Sequence, residues 1–228
     1  MNILNRTLRK GYRVTRKLLP FIKMKIIGIQ YYAPNYVYFE KFNELSVIID
    51  VGCGHEAEFS KHLIEKHNLQ AFGVDPTIKH TPFLKILEET TKGKFHHLAL
   101  AVTQKDGFIT FHESRQNESG SILSEHNNMQ NDEIRTYNVE SVNLRELVRR
   151  IGTTPIDFIK LDLEGAEYEL LNEISDEDIK PFKQIFIEFH HHCTNHTTQE
   201  TMQLVRDICS KGFKVFTLDH HNYLFYKL

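Results

Sequence analysis

Two segments contain residues whose types and spacing could support chemistry. In the first, Asp50-Val51-Gly52-Cys53-Gly54 follows a β-branched run, and Asp75 lies 21 residues after Gly54. Glycines allow a sharp turn close to a ligand, and an acid at the end of the next strand can accept hydrogen bonds from both hydroxyls of a ribose. This pattern predicts a cofactor that contains a nucleoside.

Two cofactors fit this first segment. Gly52-x-Gly54-x-x-Ala57 is a permitted form of the nicotinamide dinucleotide fingerprint. S-adenosylmethionine also contains a ribose but has no phosphate. Asp50 favours S-adenosylmethionine, because a carboxylate beside the first glycine would repel a pyrophosphate and attract the ammonium and sulfonium groups. A glycine turn without any ligand is the remaining alternative.

The second segment places acids and a histidine at the ends of two predicted strands. Asp162 and Glu164 follow one strand, and Glu188 and His190 end the next. Ligands of open sheets bind beyond the carboxyl ends of strands, so these side chains could reach a transferring methyl group. His190 is the first candidate for the general base, because its ordinary pKa of about 6.5 suits proton removal near neutrality. Asp162 and Glu164 are the other catalytic candidates, and Asp162 could orient the imidazole or bind the acceptor hydroxyl.

A metal ion is an alternative at the same place. The carboxylates and His190 could converge on a divalent ion, which makes Mg²⁺ a candidate cofactor. The run His190-His191-His192 does not predict a zinc site, because adjacent side chains of an extended chain point in opposite directions.

The elements that must position these residues alternate along the chain. The pattern predicts strands at 47–51, 71–75, 95–102, 108–111, 136–142, 156–161, 184–189, 213–218 and 223–226, and helices at 58–68, 82–91, 144–151, 166–174 and 198–211. Such alternation is typical of an α/β fold with a mostly parallel sheet, and the short final turn predicts one antiparallel strand at the end. Residues 113–133 are predicted to form a long loop, and residues 113–128 are candidates for the wall of the acceptor pocket.

Several motifs resemble one enzyme family in order from Val47 to the C-terminus. They are Ile49–Gly54, Gly73-Val74-Asp75, Leu98–Ala101, Asp106-Gly107, the Lys-x-Asp-x-Glu-Gly-x-Glu segment Lys160–Glu167, and Ile187–His190. Together they resemble the FkbM family of S-adenosylmethionine-dependent methyltransferases, and the segment Lys160–Glu167 is the most specific of them.

This resemblance implies a Rossmann-like methyltransferase fold with a seven-stranded, mostly parallel sheet and a reversed C-terminal hairpin. The residues that it implies for the cofactor are Asp50, Val51, Gly52, Cys53, Gly54, Asp75, Pro76, Ala99 and Asp162, with Asp75 at the ribose and Ala99 near the adenine. The implied function is O-methylation of a hydroxyl of a sugar, glycolipid or related small metabolite. The alternatives are an NAD-dependent oxidoreductase and an inactive methyltransferase-fold binding module.

Charge is distributed unevenly over the 228 residues. Residues 1–39 contain eight Lys or Arg and no acid, whereas the remainder carries 20 Lys or Arg against 30 Asp or Glu. The sequence therefore predicts a basic, helical N-terminal arm over 1–45 and a methyltransferase domain over 46–228. We expect the arm to pack on the domain or contact an anionic membrane surface, and we do not expect a nucleic-acid partner. Three cysteines without paired spacing indicate reduced thiols and a cytoplasmic location, with the inner membrane surface as an alternative.

Overall fold

A computed structural model describes residues 21–124, 129, 131–172 and 174–227 of the chain. The strands within them are β1 (Ile29–Tyr32), β2 (Tyr36–Phe39), β3 (Val47–Val51), β4 (Gln70–Val74), β5 (Phe95–Leu98), β6 (Ala101–Val102), β7 (Gly107–Ser114), β8 (Gly120–Ser121), β9 (Ile134–Val142), β10 (Phe158–Leu161), β11 (Gln184–Glu188), β12 (Lys214–Thr217) and β13 (Asn222–Tyr226). The helices are α1 (Glu58–His67), α2 (Thr81–Thr90), α3 (Leu144–Ile151), α4 (Glu167–Leu171), α5 (Asp176–Ile179) and α6 (Thr198–Ser210). Residues 21–27 are also helical.

Seven of the described strands form the main sheet, in the order β12-β13-β11-β10-β3-β4-β5. β13 runs antiparallel to both of its neighbours, and the pairs among β3, β4, β5, β10 and β11 are parallel. All five residues of β3 are buried, as expected for a strand covered on both faces. Neighbouring residues Ile48 and Ile49 belong to two different hydrophobic clusters, one on each face. The predicted α/β fold with a mostly parallel sheet is confirmed.

A second sheet has four described strands in the order β6-β9-β7-β8. The single strand predicted over residues 95–102 is wrong, because the chain turns after Leu98, where the amide of Leu100 donates to the Leu98 carbonyl at 3.0 Å. Ala101 and Val102 then pair with β9 in the second sheet. Part of the predicted loop 113–133 is also strand, since Gly120 and Ser121 pair with β7.

Residues 29–39 form a hairpin within the segment 1–45 that the sequence predicted to be a helical arm. Residues 1–20 lie outside the described residues, but β1 and β2 pair antiparallel over residues 29–39. The hairpin packs into the core: the ring of Tyr36 lies 5.6 Å from that of Phe186, and the Gln184 side chain bonds both backbone groups of Phe39. The helical prediction is therefore wrong for residues 29–39, because their alternating aromatic and aliphatic side chains cover the sheet.

The described residues include no helix that is both long enough and apolar enough to cross a membrane.

Candidate active site

A cleft opens where β3, β4 and β10 end, with about 820 Å³ of empty space when its mouth is included. The predicted site residues that line it are Gly52, Gly54, Asp75, Pro76, Asp162 and Glu164. Thus the glycine turn, the acid after β4 and the acids after β10 meet in one place. They come from distant parts of the sequence, and the parallel sheet brings them together because its strands end at the same edge.

The two glycines of the turn have different structural roles. Both have positive φ angles, 71° at Gly52 and 65° at Gly54. A Cβ on Gly52 would lie 1.9 Å from the backbone oxygen of Asp162, so this glycine allows β3 and β10 to approach each other. A Cβ on Gly54 would meet nothing within 4 Å, so this glycine leaves its backbone open toward the cleft.

Asp75 is held by three donors. Its Oδ2 accepts from the amide of Gly54 at 2.9 Å and lies 3.2 Å from Nδ1 of His80, and its Oδ1 accepts from the amide of Thr77 at 2.9 Å. Burial would raise the pKa of this carboxyl, but the hydrogen bonds from His80 and Thr77 lower it below its ordinary value. Asp75 therefore presents a fixed negative charge to the cleft.

Asp50 does not line the cleft, contrary to the prediction that it faces the methionine part of a cofactor. It is buried behind the glycine turn, where Ser60 Oγ donates to its Oδ2 at 2.8 Å. The ammonium of Lys160 lies 3.2 Å from its Oδ1. Since Lys160 already balances the charge of Asp50, this carboxylate is not available to a sulfonium.

Lys160 joins the two predicted site segments. Its buried ammonium donates to the backbone oxygen of Gly52 at 2.7 Å and lies 3.1 Å from Oδ2 of Asp162. Burial would lower the pKa of this lysine, but the charges of Asp162 and Asp50 raise it well above the ordinary value. Lys160 is therefore a permanent cation that ties the glycine turn to the end of β10.

Asp162 is the most basic of the cleft aspartates. Burial raises the pKa of its carboxyl above the ordinary value, although the neighbouring Lys160 opposes the shift. Its Oδ1 lies 3.5 Å from Nε2 of His190. A carboxylate with a raised pKa at the cleft wall can accept a proton from a bound hydroxyl.

His190 is not placed to be the predicted general base. It is 4% exposed and does not line the cleft. Its Nδ1 lies 3.0 Å from Oε1 of Glu167, which also accepts from the His190 amide at 2.7 Å. Burial would lower the pKa of this imidazole, but the hydrogen bond and charge of Glu167 raise it to about 10. At neutral pH His190 is thus an imidazolium, which stabilises the acids beside it and has no free lone pair for a proton.

Glu167 holds His190 in place, although it was not among the predicted catalytic or cofactor residues. It does begin α4, but its carboxylate is fully buried and accepts from the Gly165 amide at 2.9 Å as well as from His190. The sequence contains one signal for this role, because Glu167 ends the specific segment that also contains Asp162 and Glu164.

Glu164 and Glu188 differ in their access to the cleft. Glu164 lines it and has a positive φ of 52°, and its carboxylate lies 3.8 Å from Nε2 of His190. Glu188, at the end of β11, is not a lining residue. Burial, together with the charge of Asp162, raises the pKa of Glu188 to about 7.

Three other predicted cofactor residues lie away from the cleft. Val51 is buried in β3, and Cys53 packs near Gly73 behind the turn, where burial raises the pKa of its thiol well above the ordinary value. Ala99 is exposed, because it lies in the turn that ends β5. The apolar wall of the cleft is formed instead by the next three residues, Leu100–Val102.

The Mg²⁺ alternative is not supported at the predicted place. Ligand atoms of Asp162, Glu164 and His190 do lie within 4.8 Å of one another. However, Lys160 and the imidazolium of His190 already supply two cations there, and these would repel a divalent ion. We assign no role to Mg²⁺.

The sheet order, the glycine turn and the acid after β4 together define a Rossmann-like methyltransferase domain. A family model described as the methyltransferase FkbM domain matches residues 28–215. The chain therefore belongs to the FkbM family of S-adenosylmethionine-dependent methyltransferases. The match begins at the β1–β2 hairpin, which the motifs noted from Val47 onward did not include.

Several solved structures are similar to this chain at low sequence identity. TrmK of M. capricolum in complex with S-adenosyl-homocysteine is 14% identical, with a TM-score of 0.41 over 82% of this chain and 62% of that chain. The N-terminal domain of human METTL16 in complex with SAH is 9% identical, with a TM-score of 0.45 over 82% and 64%. Fibrillarin in its complex with Nop5p is 11% identical, with a TM-score of 0.47 over 84% and 77%. This chain thus spans less than two thirds of the TrmK chain, and no curated protein matches it.

Proposed function

We propose that the protein is an S-adenosylmethionine-dependent O-methyltransferase that methylates a hydroxyl of a sugar, glycolipid or related small metabolite. One observation supports this most strongly: the open backbone at Gly54, the fixed charge of Asp75 and the basic carboxylate of Asp162 all face one cleft. The first two suit a nucleoside cofactor, and the third suits proton removal from an acceptor.

The residues that would hold the cofactor fit its chemistry. Asp75 can accept hydrogen bonds from ribose hydroxyls, since each carboxylate oxygen has more than one acceptor site. Leu100–Val102 provide an apolar surface for an adenine, and Gly54 leaves space beside the turn. When bound, S-adenosylmethionine supplies an electrophilic methyl group on a sulfonium.

The chain's own contribution to the reaction is positioning and proton removal. Asp162 accepts the proton of the acceptor hydroxyl, and burial favours this because it raises the pKa of the Asp162 carboxyl. Lys160 keeps the Asp162 carboxylate at the cleft wall through the contact at 3.1 Å. His190, held by Glu167, stabilises the carboxylates of Asp162 and Glu164 side by side.

The opposite wall suits an acceptor with several hydroxyls. Ser119 and Ser121 line the cleft at its β8 side, and Ser121 Oγ donates to the backbone oxygen of Glu164 at 3.1 Å. Serine hydroxyls can both donate and accept hydrogen bonds, and so can pair with the hydroxyls of a sugar, which do the same. This supports the earlier expectation that residues 113–128 form part of the acceptor pocket, of which residues 125–128 lie outside the described residues.

Calorimetric titration with S-adenosylmethionine and S-adenosyl-homocysteine tests the cofactor assignment. We expect one site for each ligand, and binding of NAD in their place would overturn the proposal in favour of the oxidoreductase. Transfer of labelled methyl groups to a panel of glycans and glycolipids then separates an enzyme from an inactive binding module. Cofactor binding without transfer to any acceptor of the panel would favour the module.

The proposal extends to the membrane through the basic N-terminal residues, most of which lie outside the described part of the chain. Eight cations without an acid over residues 1–39 would attract an anionic surface, at about 1 kcal/mol for each cation near the membrane. We expect the protein to sediment with anionic liposomes at low salt and less at high salt. If the protein does not sediment with such liposomes at low salt, the proposed membrane contact is wrong.

A further inference from the structure

Three side chains from separate segments converge at the mouth of the cleft. They are His55 after the glycine turn, His80 before α2, and Glu118 between β7 and β8. Nδ1 of His55 lies 3.1 Å from Oε2 of Glu118, and Nε2 of His80 lies 2.8 Å from the same oxygen. Potential ligand atoms of all three lie within 4.8 Å of one another. The proposed methyl transfer assigns no part to His55 or Glu118.

His80 has a carboxylate within hydrogen-bond distance of its other ring nitrogen, and His55 has one slightly farther away. Nδ1 of His80 lies 3.2 Å from Asp75, and Nε2 of His55 lies 3.7 Å from Glu56. A carboxylate in this position orients the ring and makes the opposite nitrogen a better donor to a metal. In His80 the arrangement is buried, so that its Nε2 is directed at Glu118 by the surrounding structure.

The types of ligand atom at this place favour zinc. Two imidazole nitrogens and one carboxylate oxygen are typical zinc ligands, whereas Mg²⁺ and Ca²⁺ prefer oxygen alone. Zinc bonds of about 2.0–2.2 Å at tetrahedral angles place ligand atoms about 3.4 Å apart. Glu118 Oε2 lies 3.1 and 2.8 Å from the two nitrogens, so widening by a few tenths of an ångström would admit the ion. A fourth position would remain for water.

The segment that carries Glu118 is already held against the start of α2. Lys79 Nζ donates to the backbone oxygen of Ser114 at 2.6 Å, and the amide of Ser119 donates to Asn117 Oδ1 at 2.7 Å. The three ligands are therefore brought together before any ion binds, which lowers the conformational cost of binding. An ion there would cross-link the β7–β8 segment to the residues that follow β3 and β4.

We propose that His55, His80 and Glu118 form a zinc site at the mouth of the cleft, and that zinc fixes residues 114–121 across it. This binding does not depend on the proposed methyl transfer.

Competition between the full-length protein and a chromophoric zinc chelator at pH 7.5 tests the site. We expect one tightly bound Zn²⁺ per chain. Removal of a carboxylate that supports a metal ligand lowers metal affinity by about 10–100-fold. Glu118→Gln and His55→Gln remove ligands themselves, so each should lower the affinity for Zn²⁺ by at least about tenfold. Glu118 is exposed, so its substitution leaves the core unchanged. His192→Gln is the matched control, because it removes an exposed histidine of another cluster.

Two results would overturn the site: failure of the wild-type protein to compete for one Zn²⁺, or loss of zinc in His192→Gln with retention in Glu118→Gln.

Trypsin cleavage after the exposed Arg115 tests the cross-link separately. Zinc should slow this cleavage in the wild type and in His192→Gln but not in Glu118→Gln. Equal cleavage of the wild type with and without zinc would contradict the fixing of residues 114–121.

Discussion

Each end of the cleft has a buried aspartate beside a nitrogen-containing side chain, but the pKa values of the two aspartates shift in opposite directions. At one end, Asp75 accepts from two backbone amides and His80, and its pKa is lowered. At the other end, Asp162 is near Lys160 but also near other acids, and burial raises its pKa. At Asp75 the donors outweigh the effect of burial and lower the pKa, whereas at Asp162 burial outweighs the cations Lys160 and His190 and raises it.

This difference separates two tasks that both need a carboxylate. Asp75 is suited to a permanent acceptor for hydroxyl groups that keep their protons. Asp162 is suited to an acceptor that takes the proton away. The same residue type can thus serve in cofactor binding at one end and in acid–base chemistry at the other, because the surroundings set the pKa.

The largest expected effect comes from substitution of Asp162, the proposed proton acceptor. Asp162→Asn preserves the shape of the side chain but removes its basicity, so turnover should fall about 100–10,000-fold. Affinity for S-adenosylmethionine should stay within a few-fold. Rates of labelled methyl transfer and calorimetric titration measure the two quantities. Unchanged turnover would exclude Asp162 as the base.

The next effect concerns the link between β10 and the glycine turn. Lys160→Met leaves Asp50 buried without its cation, and loss of one partner of a buried pair costs about 3–5 kcal/mol of unfolding free energy. Urea denaturation measures this loss, and Asp50→Asn in the same chain should recover part of it. The control Lys183→Met breaks an ion pair of 2.7 Å whose lysine is exposed, so it should cost at most about 1 kcal/mol. Similar losses for both lysines would contradict the role of Lys160.

A smaller effect tests the cofactor-binding end. Asp75→Asn removes a charged acceptor, so affinity for S-adenosylmethionine should fall by about 1.5–3 kcal/mol, or about 10- to 150-fold. Asp50→Asn is the comparison: it should cost less and affect S-adenosylmethionine and S-adenosyl-homocysteine equally, since Asp50 does not line the cleft. A selective loss of S-adenosylmethionine in Asp50→Asn would restore its predicted contact with the sulfonium.

The last prediction concerns the pH dependence of stability at His190. Its pKa of about 10 lies above the ordinary 6.5, so protonation stabilises the fold. That stabilisation is fully present below about pH 6.5 and is lost as the pH rises through 10. The difference in thermal midpoint between the wild type and His190→Gln should therefore shrink from pH 6.5 to 10. A difference that stays constant or widens would show that His190 is neutral in the folded protein.

The sequence predicted the main sheet well because its strands are local and continuous. β3 and β10 are runs of mostly apolar residues that no helix pattern fits; Asp50 lies near the end of β3, and Asp162 directly follows β10. The small sheet was predicted less well because its strands depend on distant partners: Ala101 pairs with Ser141, far along the chain. Ala99 was predicted to lie at the cofactor for the same reason, whereas Leu100–Val102 line the cleft, since only the turn at Leu98 shows where the chain leaves the main sheet.

The candidate site was predicted by residue type, and its charges were not. Asp50 looked like a free acid because Lys160 lies 110 residues later, and nothing local indicates their contact at 3.2 Å. His190 looked like a base because its ordinary pKa is suitable, whereas Glu167, buried in α4, changes that pKa. Contacts between side chains that are distant in the sequence thus determine which acids and bases are free to act in the cleft.

The small sheet also has a consequence for how this enzyme family can diversify. β8 and the residue before it supply Ser119 to Ser121 to the cleft, while the ends of the main-sheet strands supply Gly54, Asp75 and Asp162. A change in length or composition between β7 and β9 would reshape one wall of the cleft without moving these strand ends. Mutations in the small sheet can therefore change which acceptor fits the cleft, while the main-sheet residues proposed to bind the cofactor stay the same.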